Sequence, residues 1–600
     1  MAVTRIEITM GLPIQVVKSS VTASFCRKAS SIDLAHHARL FAILLSTIYM
    51  LCMTTTLLAQ TQLGVDIDGE TAYDEFGQSV SLSSLGNHLA IGAPKNNGNG
   101  FDSGHVRVYQ WSDAAWTQLG ADIDGEAAYD EAGQSVALSS DGTRLAIGAH
   151  RNDGNGIDSG HVRVYHWSGA AWTQLGADIN GEAFSDFSGW SVSLSSDGNR
   201  LAIGAPFNVG GNGYDSGHVR VYQWSGAAWT QLGADIDGEA AYDESGWSVS
   251  LSSDGNRLAI GAAGNDGNGI NSGHVRVFQW SGAAWTQLGA DINGEAFSDF
   301  SGWSVSLSSD GNRLAVGAPF NVGSNGYDSG HVRVYQWSGV AWTQLGADID
   351  GEAAYDNFGS TVSLASNGNR LAVGAPLNSG SNGIDSGQVR VFQWSDGTWT
   401  QLGTDIEGEA AYDNFGSAVS LASNGNRLAI GASGNDGNGF DSGHVRIFDV
   451  SMFNTFSLNA GLNDAWYYPI TDGQGFFITV FPDLGLVSLA WFTYDTELPA
   501  EDAQANLGDA GHRWLTALGP IDGDQAVMNI TMTSGGIFDT PGGVERTYPP
   551  GSDGTITLTF DSCSSGTVEY DIPSIGRQGI IPIQRIANDN IIICEALNAD

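Results

Sequence analysis

Residues 118–173 read QLGADIDGEAAYDEAGQSVALSSDGTRLAIGAHRNDGNGIDSGHVRVYHWSGAAWT, and this stretch decides the fold because the chain carries seven versions of it. Each version begins with the tripeptide Gln-Leu-Gly, whose glutamines are 62, 118, 174, 231, 287, 344 and 401. The copies are therefore 56 or 57 residues apart. A fixed period of this size indicates a repeat architecture in which each copy is one supersecondary unit.

Each unit carries four strand signals. In the quoted copy these are residues 135–139, 144–148, 161–167 and 172–176, and the first two flank the turn Ser140-Asp141-Gly142-Thr143. An Asp-Gly turn between two apolar runs is a strong hairpin signal. A single four-stranded antiparallel sheet cannot bury both of its faces, but a ring of such sheets can. The pattern predicts an all-β fold, a seven-bladed β-propeller over residues 60–450.

The two ends of the repeat region predict how the ring closes. The region begins with an outer-strand sequence, Thr61-Gln62-Leu63-Gly64, and ends after a third strand, 444–448, that lacks a fourth. We therefore expect the N-terminal strand to complete the last blade. Trp111, Trp116 and their counterparts are bulky enough to pack between blades, and a ligand platform is the alternative.

Two short motifs recur in register and carry a resemblance. Phe-Gly precedes the first strand at 76–77, 358–359 and 415–416, and Gly-Ala-Pro closes the second at 92–94, 204–206, 317–319 and 374–376. The region resembles the FG-GAP repeat of integrin alpha-chain propellers, and more closely bacterial proteins that carry the same repeat. The resemblance implies a seven-bladed propeller, an extracellular location and adhesion-type binding.

The sequence departs from that family at two places. Units two to five replace the motif phenylalanine by Ala132, Ser188, Ser245 and Ser301. Integrin propellers resembling this one hold calcium in an Asp-rich hairpin between the first two strands, whereas the hairpin here is cut to four residues such as Ser-Asp-Gly-Asn, which is too short to wrap a cation. The family's calcium site is therefore not carried over.

Segments outside the repeats predict export and a second domain. Basic residues followed by an apolar run over 40–59 indicate a signal peptide in residues 1–59, with an uncleaved N-terminal anchor as the alternative. Strand-like runs at 476–481, 487–494, 526–532, 555–560 and 567–572 predict a small antiparallel meander or closed barrel within residues 455–600. Cys563 and Cys594 are the cysteines beyond the leader, and we expect a disulfide between them.

Charge limits the classes of partner. The chain has 24 basic and 66 acidic residues, a net charge of −42. Such a surface repels a phosphate backbone, which argues against nucleic acid. Contact with a membrane is expected only through residues 1–59, and we expect a monomer.

Both long loops of every unit should emerge on one face of the propeller. They connect the fourth strand to the next first strand (121–133) and the second strand to the third (149–160). Loops on a rigid scaffold concentrate binding residues. The candidate ligand-binding residues of this face are Asp122, Asp124, Glu126, Asp130, Asp153, Asn155, Asp158, Asp235, Asp237, Glu239, Asp243, Asp266 and Asn268.

These side chains have two interpretations. Asp122, Asp124, Glu126 and Asp130, or alternatively Asp153, Asn155 and Asp158, offer the oxygen ligands that calcium prefers. Neither set matches a complete calcium consensus, and Asp and Asn also form turns by accepting bonds from their own backbone. Ca²⁺ is the candidate cofactor, and turn formation is the alternative.

Other charged residues recur once per unit. Arg163 and Glu126 have counterparts in all seven units, which predicts a repeated structural ion pair, or else a ring of ligand-binding arginines. His105 has five equivalents at the start of a third strand, which are either structural histidines, metal ligands or pH sensors.

These observations predict an exported or cell-surface binding protein that uses the acidic, loop-rich face for a protein or glycan ligand, with calcium as a candidate aid. We do not expect an enzyme, because catalysis needs different groups on one reacting atom, whereas almost every polar residue here is repeated. Lys95, His150 and Arg151 are among the few exceptions. The alternatives are an extracellular carbohydrate-active enzyme acting at the channel mouth and a purely structural display module.

Overall fold

The structure is a computed structural model. It describes residues 60–451 except 324 and 396, together with 458–469, 474–494, 512–522, 524–531, 533–534, 545–546, 553–560, 563–587, 590–591 and 593–594. The predicted signal peptide lies outside the described residues. Within the described part of the chain, no helix is long and apolar enough to cross a lipid bilayer.

Residues 60–451 form seven antiparallel sheets, which confirms the predicted propeller. Blade 1 contains the strands Ser79–Leu82, His88–Ala93, His105–Ser112 and Ala115–Gln118, and blade 2 contains Ser135–Leu138, Arg144–Ala149, His161–Trp167 and Trp172–Gln174. Blade 3 contains Ser191–Leu194, Arg200–Ala205, His218–Trp224 and Trp229–Gln231, and blade 4 contains Ser245–Leu251, Arg257–Ala262, His274–Trp280 and Trp285–Gln287. Blade 5 contains Ser304–Leu307, Arg313–Ala318, His331–Trp337 and Trp342–Gln344, and blade 6 contains Thr361–Leu364, Arg370–Ala375, Gln388–Ser395 and Thr398–Gln401. The short strands Ile123–Asp124, Ile179–Asn180, Ile236–Asp237, Ile292–Asn293, Ile349–Asp350 and Ile406–Glu407 extend the outer edges of these six sheets.

Blade 7 is built from both ends of the repeat region. It contains Phe415–Leu421, Arg427–Ala432 and His444–Asp449, and its outer edge is Thr61–Gln62 with Ile67–Asp68. Thr61 pairs with Asp449 and Ile67 with Val445. The N-terminal strand therefore completes the last blade, as the sequence predicts, and we call residues 60–69 the clasp.

The apolar core lies between neighbouring blades. Each core cluster of the propeller combines side chains of two sheets, such as Val162 and Val164 of blade 2 with Leu201 and Ile203 of blade 3. The outer-strand tryptophans join the same interfaces, since the Trp172 indole N–H donates to the Leu119 carbonyl of the preceding blade at 2.9 Å. Five equivalent bonds connect other blades, so packing is the role of these tryptophans.

Backbone contacts between blades explain the Phe-Gly and Gly-Ala-Pro motifs. Gly133 has φ +94°, and its carbonyl lies only 2.0 Å from where a β-carbon on Gly92 would stand. Both positions therefore need glycine, one for its conformation and the other for space. The motif phenylalanine is fully buried where present, and the Arg107 guanidinium lies 4.3 Å from the centre of the Phe76 ring.

A ring of main-chain hydrogen bonds surrounds the channel at the face of the short hairpins. The N–H of each serine donates to the carbonyl of the serine in the next blade, over 2.8–3.0 Å, and the last bond returns to the first blade. The members are Ser84, Ser140, Ser196, Ser253, Ser309, Ser366 and Ser423. Together with leucines of the first strands these serines line a cavity of about 140 Å³. First strands are thus innermost and the propeller closes on itself.

The C-terminal part is a closed eight-stranded antiparallel barrel, which confirms the predicted barrel. Its strands are Asp464–Tyr467, Gly475–Phe481, Leu486–Tyr494, His512–Asp522, Gln525–Thr531, Thr555–Phe560, Ser565–Ile572 and Arg577–Arg585. The first, fourth and eighth of these strands were not predicted. A two-stranded sheet, Thr533–Ser534 with Glu545–Arg546, and the 3-10 turns Ala460–Leu462, Pro482–Leu484 and Pro573–Ile575 complete it.

The predicted disulfide between Cys563 and Cys594 is present. Cys563 lies just before the seventh barrel strand, whereas Cys594 follows the eighth and packs beside Gly461. The bond therefore ties the C-terminal turn to the barrel wall rather than joining two late strands.

Candidate functional site

The long loops of neighbouring units meet on one face of the propeller, which we call the loop face. The loop after the second strand of blade 1 contacts the loop that enters blade 2, because the Tyr129 N–H donates to the Phe101 carbonyl at 2.8 Å and Gly104 bridges Ala132. Equivalent bonds recur around the ring, for example from Tyr242 to Tyr214. The predicted common rim is therefore a continuous, mutually braced surface.

The first set of predicted acids stabilises its own loop. Asp130 is buried, and its Oδ2 accepts bonds from the Ala127 N–H at 3.0 Å and from the Asn152 side chain at 3.1 Å. The Asp122 carboxylate accepts from the Gln118 amide at 2.6 Å. The Asp124 carbonyl accepts from Arg163 at 2.8 Å, which leaves its carboxylate out of that bond.

The second set behaves in the same way. Asp153 accepts from the Asp158 N–H at 3.0 Å, and the Asn155 side chain donates to the Gly181 carbonyl at 2.7 Å. The predicted residues of blade 4 repeat these contacts: Asp235 with Gln231, Asp237 with Arg276, Asp243 with the Glu239 and Ala240 N–H groups, Asp266 with the Asn271 N–H, and Asn268 with the Gly294 carbonyl. Turn formation thus engages one carboxylate oxygen each of Asp130, Asp153, Asp243 and Asp266, and calcium binding by the loop-face acids stays a prediction.

The repeated arginine and glutamate form an ion pair in every blade, as predicted. Arg163 Nη1 lies 3.4 Å from Glu126 Oε1, and the six equivalent distances are 3.4–3.7 Å. The arginine is buried, whereas the glutamate side chain is 45–47% exposed. The guanidinium also donates to a backbone carbonyl of the preceding blade, so its role is to brace two blades.

The repeated histidines are buried beside this pair. Burial, followed by the neighbouring arginine, lowers the pKa of His161 to about 4, so its imidazole is neutral at pH 7. Its Nδ1 lies 4.0 Å from Glu126, and Glu126, His161 and Asp178 are close enough together to hold a metal ion. In blade 6 the equivalent Gln388 donates to Glu352 at 3.2 Å, which shows that a hydrogen-bond donor suits the position.

A circle of exposed apolar side chains decorates the loop face. Each unit contributes one large apolar residue from each long loop, and the exposed fraction of every one is between 58 and 68%. We call them the rim residues: Tyr73, Tyr129, Phe184, Tyr242, Phe297, Tyr355 and Tyr412 from the loops that enter blades, and Phe101, Ile157, Tyr214, Ile270, Tyr327, Ile384 and Phe440 from the loops after second strands. The Phe101 and Tyr129 rings are 5.5 Å apart.

The residues that break the repeat meet at the channel end on the same face, which we call the mouth. Glu131, buried at the entry of blade 2, contacts the Lys95 ammonium of blade 1. Its carboxylate also lies 3.4 Å from His150 Nε2 and 3.3 Å from Arg151 Nε. The structure therefore brings together Lys95, His150 and Arg151, which the sequence had shown only as scattered exceptions.

The adjoining blades 3 to 5 line the mouth with aromatic rings. Trp190, Trp247 and Trp303 lie at the start of successive first strands, with ring centres 4.9 and 4.6 Å apart. Phe187, Phe207, Phe300 and Phe320 pack around them at 5.2–6.2 Å. All seven rings are half-buried. This aromatic group was not predicted, although three consecutive units carry tryptophan where blade 2 has Gln134, and that replacement is visible in the sequence.

Two acids of the mouth have raised pKa values. Burial, with a smaller contribution from Asp215, raises the pKa of Glu244 to about 7. Burial also raises the pKa of Glu75, against the opposing effect of Lys95. At neutral pH Glu244 therefore carries a proton part of the time and can both donate and accept hydrogen bonds.

Comparison with known proteins identifies the repeat. The model of the family described as FG-GAP repeat matches residues 65–109, 122–165, 235–278, 348–392 and 407–448. These matches fall on blades 1, 2, 4, 6 and 7, whereas the unmatched blades 3 and 5 carry the four mouth phenylalanines. No curated protein matches the chain in sequence.

Two solved structures show a weak similarity to the chain. The periplasmic gluconolactonase PpgL of Pseudomonas aeruginosa is 18% identical over 57% of this chain and 95% of its own, with a TM-score of 0.39. The Dos1 propeller is 12% identical over 66% of this chain and 97% of its own, with a TM-score of 0.38.

Proposed function

Starting from a seven-bladed propeller that carries FG-GAP repeats, we propose that the protein is an exported binding protein that holds a protein ligand on its loop face. The observation that carries the proposal is the circle of rim residues. Fourteen large apolar side chains at about 60% exposure present on the order of 1,500 Å² of mostly apolar surface. The rings are close within a pair, as for Phe101 and Tyr129, so the rim is a circle of apolar patches set among polar loops, and such exposed patches mark interaction sites.

The composition of the rim suits a protein surface. Tyrosine and phenylalanine are enriched in protein interfaces because they bury much area and lose little conformational entropy. Exposed carboxylates such as Glu126 and Asp153 lie among them on a chain of net charge −42. Charge complementarity therefore favours a partner with basic side chains, and steering makes its association faster at low salt.

An extracytoplasmic location belongs to the same proposal. The leader sequence, the family resemblance and the Cys563–Cys594 disulfide support it, since disulfides persist in oxidising compartments.

A rim variant tests the proposal. The mature chain from residue 60, made in an oxidising compartment, would be screened against an array of purified extracellular proteins and an array of glycans. In the variant, Tyr73, Tyr129, Tyr242, Tyr355 and Tyr412 are all replaced by serine. Val340→Ser is the matched control, because Val340 is 83% exposed in a link between third and fourth strands.

We expect at least one protein to bind the wild type, to bind the rim variant at least 100-fold more weakly, and to bind the control within twofold. Binding that is unaffected by the rim variant would contradict the proposal. Failure of every arrayed ligand to bind would favour the display-module alternative.

The carbohydrate-active alternative has one observation in its favour. Glu131 lies beside the side-chain nitrogens of Lys95, His150 and Arg151, whereas burial raises the pKa of Glu244 to about 7. Two carboxyl groups in such contrasting environments are typical of the acid and the base of a hydrolytic enzyme. Release of reducing ends from oligosaccharides by the wild type but not by Glu244→Gln would support this second function.

A further inference from the structure

The mouth has two unlike halves. Blades 3 to 5 supply its seven half-buried aromatic rings, and blades 1 and 2 supply charged and polar groups around Glu131. The halves touch, since the His150 ring lies edge-on to Trp190 with centres 5.1 Å apart. A ligand in the mouth would therefore face apolar ring surfaces on one side and hydrogen-bonding groups on the other.

The aromatic half forms one connected surface. Trp190 contacts Trp247, and Trp247 contacts Trp303, at tilts of 49° and 46°. This curved series follows the inner edge of three blades, and none of the three indoles is fully buried. The outer-strand tryptophans differ, because their indole N–H groups are bonded to the preceding unit.

The polar half offers unused hydrogen-bonding capacity. The His150 side chain is 3% exposed, and among the described residues its Nδ1 has no hydrogen-bond partner. Burial, followed by Arg151 and Lys95, lowers the pKa of His150 to about 3, so the ring is neutral. A buried polar atom without a partner is costly, so a hydrogen-bond donor that reached Nδ1 would be favoured there.

The mouth is close to electrical balance although the surrounding face is acidic. Lys95 and Arg151 both contact Glu131, Lys95 also opposes the charge of Glu75, and Glu244 is partly protonated at neutral pH. An anionic ligand would be repelled by the acidic loops, and a cationic one would meet the positive charges of Lys95 and Arg151. The chemistry that remains is a neutral molecule with an apolar face and a hydroxyl edge.

A pyranose ring has this chemistry, because its C–H bonds form apolar faces and its hydroxyls project from the rim. We propose that the mouth is a binding site for a neutral saccharide, which stacks on Trp247 and its neighbours and places hydroxyls toward Glu131, His150 and Glu244. The ring of serine bonds narrows the opposite end of the channel, so the saccharide enters from the loop face.

Calorimetry on the mature chain tests the site. The probes are neutral hexasaccharides of β-1,4-glucose, β-1,3-glucose, β-1,4-xylose and β-1,4-N-acetylglucosamine, with oligogalacturonate as the anionic comparison. We expect at least one neutral probe to bind with a Kd between about 10 µM and 1 mM and the anionic probe to bind at least tenfold more weakly.

Two substitutions locate the binding. Trp247→Ala removes the centre of the aromatic series, and we expect at least tenfold weaker binding, with partial recovery in Trp247→Phe. Val340→Ala is the control, because Val340 is 83% exposed in a link between third and fourth strands, outside both the rim and the mouth, and its affinity should stay within twofold. A melting curve like that of the wild type establishes that each variant is folded.

The inference is overturned if no neutral probe binds at 5 mM, or if Trp247→Ala binds as the wild type does. It goes beyond the proposed protein binding because it concerns the mouth rather than the rim, and it differs from the carbohydrate-active alternative in requiring saccharide binding without release of reducing ends. Protein binding that depends on the rim tyrosines would survive the loss of saccharide binding, and the reverse also holds, so the two failures are distinguishable.

Discussion

The clasp offers a direct test of how the ring closes. Ile67 of the clasp and Ile349 of the outer edge of blade 5 occupy equivalent positions, and each side chain is 7% exposed. Ile67 pairs with Val445 and Ile349 with Val332. Replacing either one with alanine removes the same buried carbons and leaves the same kind of cavity, which costs about 2–5 kcal/mol.

The reasoning requires the two costs to be equal. If the clasp is packed into blade 7 as the strand Ile349–Asp350 is packed into blade 5, both substitutions remove equivalent buried contacts. Ile67→Ala and Ile349→Ala should then lower the free energy of unfolding by the same amount, to within about 0.5 kcal/mol. If the clasp were detached in solution, Ile67→Ala would cost almost nothing. Val65→Ala is the local control, because Val65 is 83% exposed and its loss should cost less than about 0.5 kcal/mol.

Urea unfolding followed by tryptophan emission measures these differences, since 15 of the 18 tryptophans lie in the propeller. The midpoints of the two isoleucine variants should coincide below that of the wild type. A wild-type midpoint for Ile67→Ala, beside a lowered midpoint for Ile349→Ala, would refute closure by the N-terminal strand.

Three further predictions concern the braces of the fold. Arg276→Ala should lower the free energy of unfolding by about 2–3 kcal/mol, because it removes the buried charged hydrogen bond to the Asp237 carbonyl. Glu239→Gln should lower it by less than about 1 kcal/mol, because the Glu239 carboxylate is half-exposed. Thermal melts of the two variants measure the difference. Burial lowers the pKa of His105, His161, His218, His274 and His331 to about 4, below the value in the unfolded chain. The stability that these neutral histidines contribute to the fold is therefore complete above pH 6.5 and is lost as the pH falls towards 4. His274→Gln should reduce the slope of stability against pH by about 1.4 kcal/mol per pH unit in that window, and Gln388→His should increase it, as measured by urea unfolding from pH 4 to 7. Replacing both Cys563 and Cys594 with serine opens a loop of 31 residues and should destabilise the barrel by about 3–4 kcal/mol, seen as an earlier barrel transition in calorimetry while the propeller transition stays in place.

The propeller could be predicted because its signals are local and repeated. The turn at 140–143 and the alternating run at 161–167 each specify a strand or hairpin within a few residues, and seven copies remove the ambiguity of any single one. Closure followed from the incomplete units at 61–64 and 444–448. The barrel has no repeat, and its strands Asp464–Tyr467, His512–Asp522 and Arg577–Arg585 were not predicted. A short apolar run that occurs once does not by its periodicity distinguish a strand from another buried segment.

The candidate site was predictable only in part. The acids of the loop face were predicted, but the sequence did not decide between their two possible roles. Carboxylate oxygens such as those of Asp130 and Asp153 can accept bonds from backbone N–H groups, as they do here, or bind a cation. Lys95 and Glu131 are 36 residues apart, and only the ring geometry places them in contact. The rim residues escaped notice because one tyrosine in a polar loop is unremarkable until seven loops form a circle.

Symmetry in this molecule separates structural residues from candidates for recognition. Whatever the ring needs at every interface recurs in each blade, as the Arg163–Glu126 pair does, and its loss would weaken the propeller wherever it occurred. The mouth follows a different rule. Tryptophan replaces Gln134 in three consecutive blades, and because those blades are neighbours, Trp190, Trp247 and Trp303 form one surface. The same substitutions in alternate blades would have given isolated rings with no shared face. The bond from a first-strand serine hydroxyl to the next blade is made both where the tryptophan is absent, as at Ser79, and where it is present, as at Ser191, so this bridge does not require the tryptophans. Their adjacency is the feature that the proposed saccharide, spanning several rings, would use.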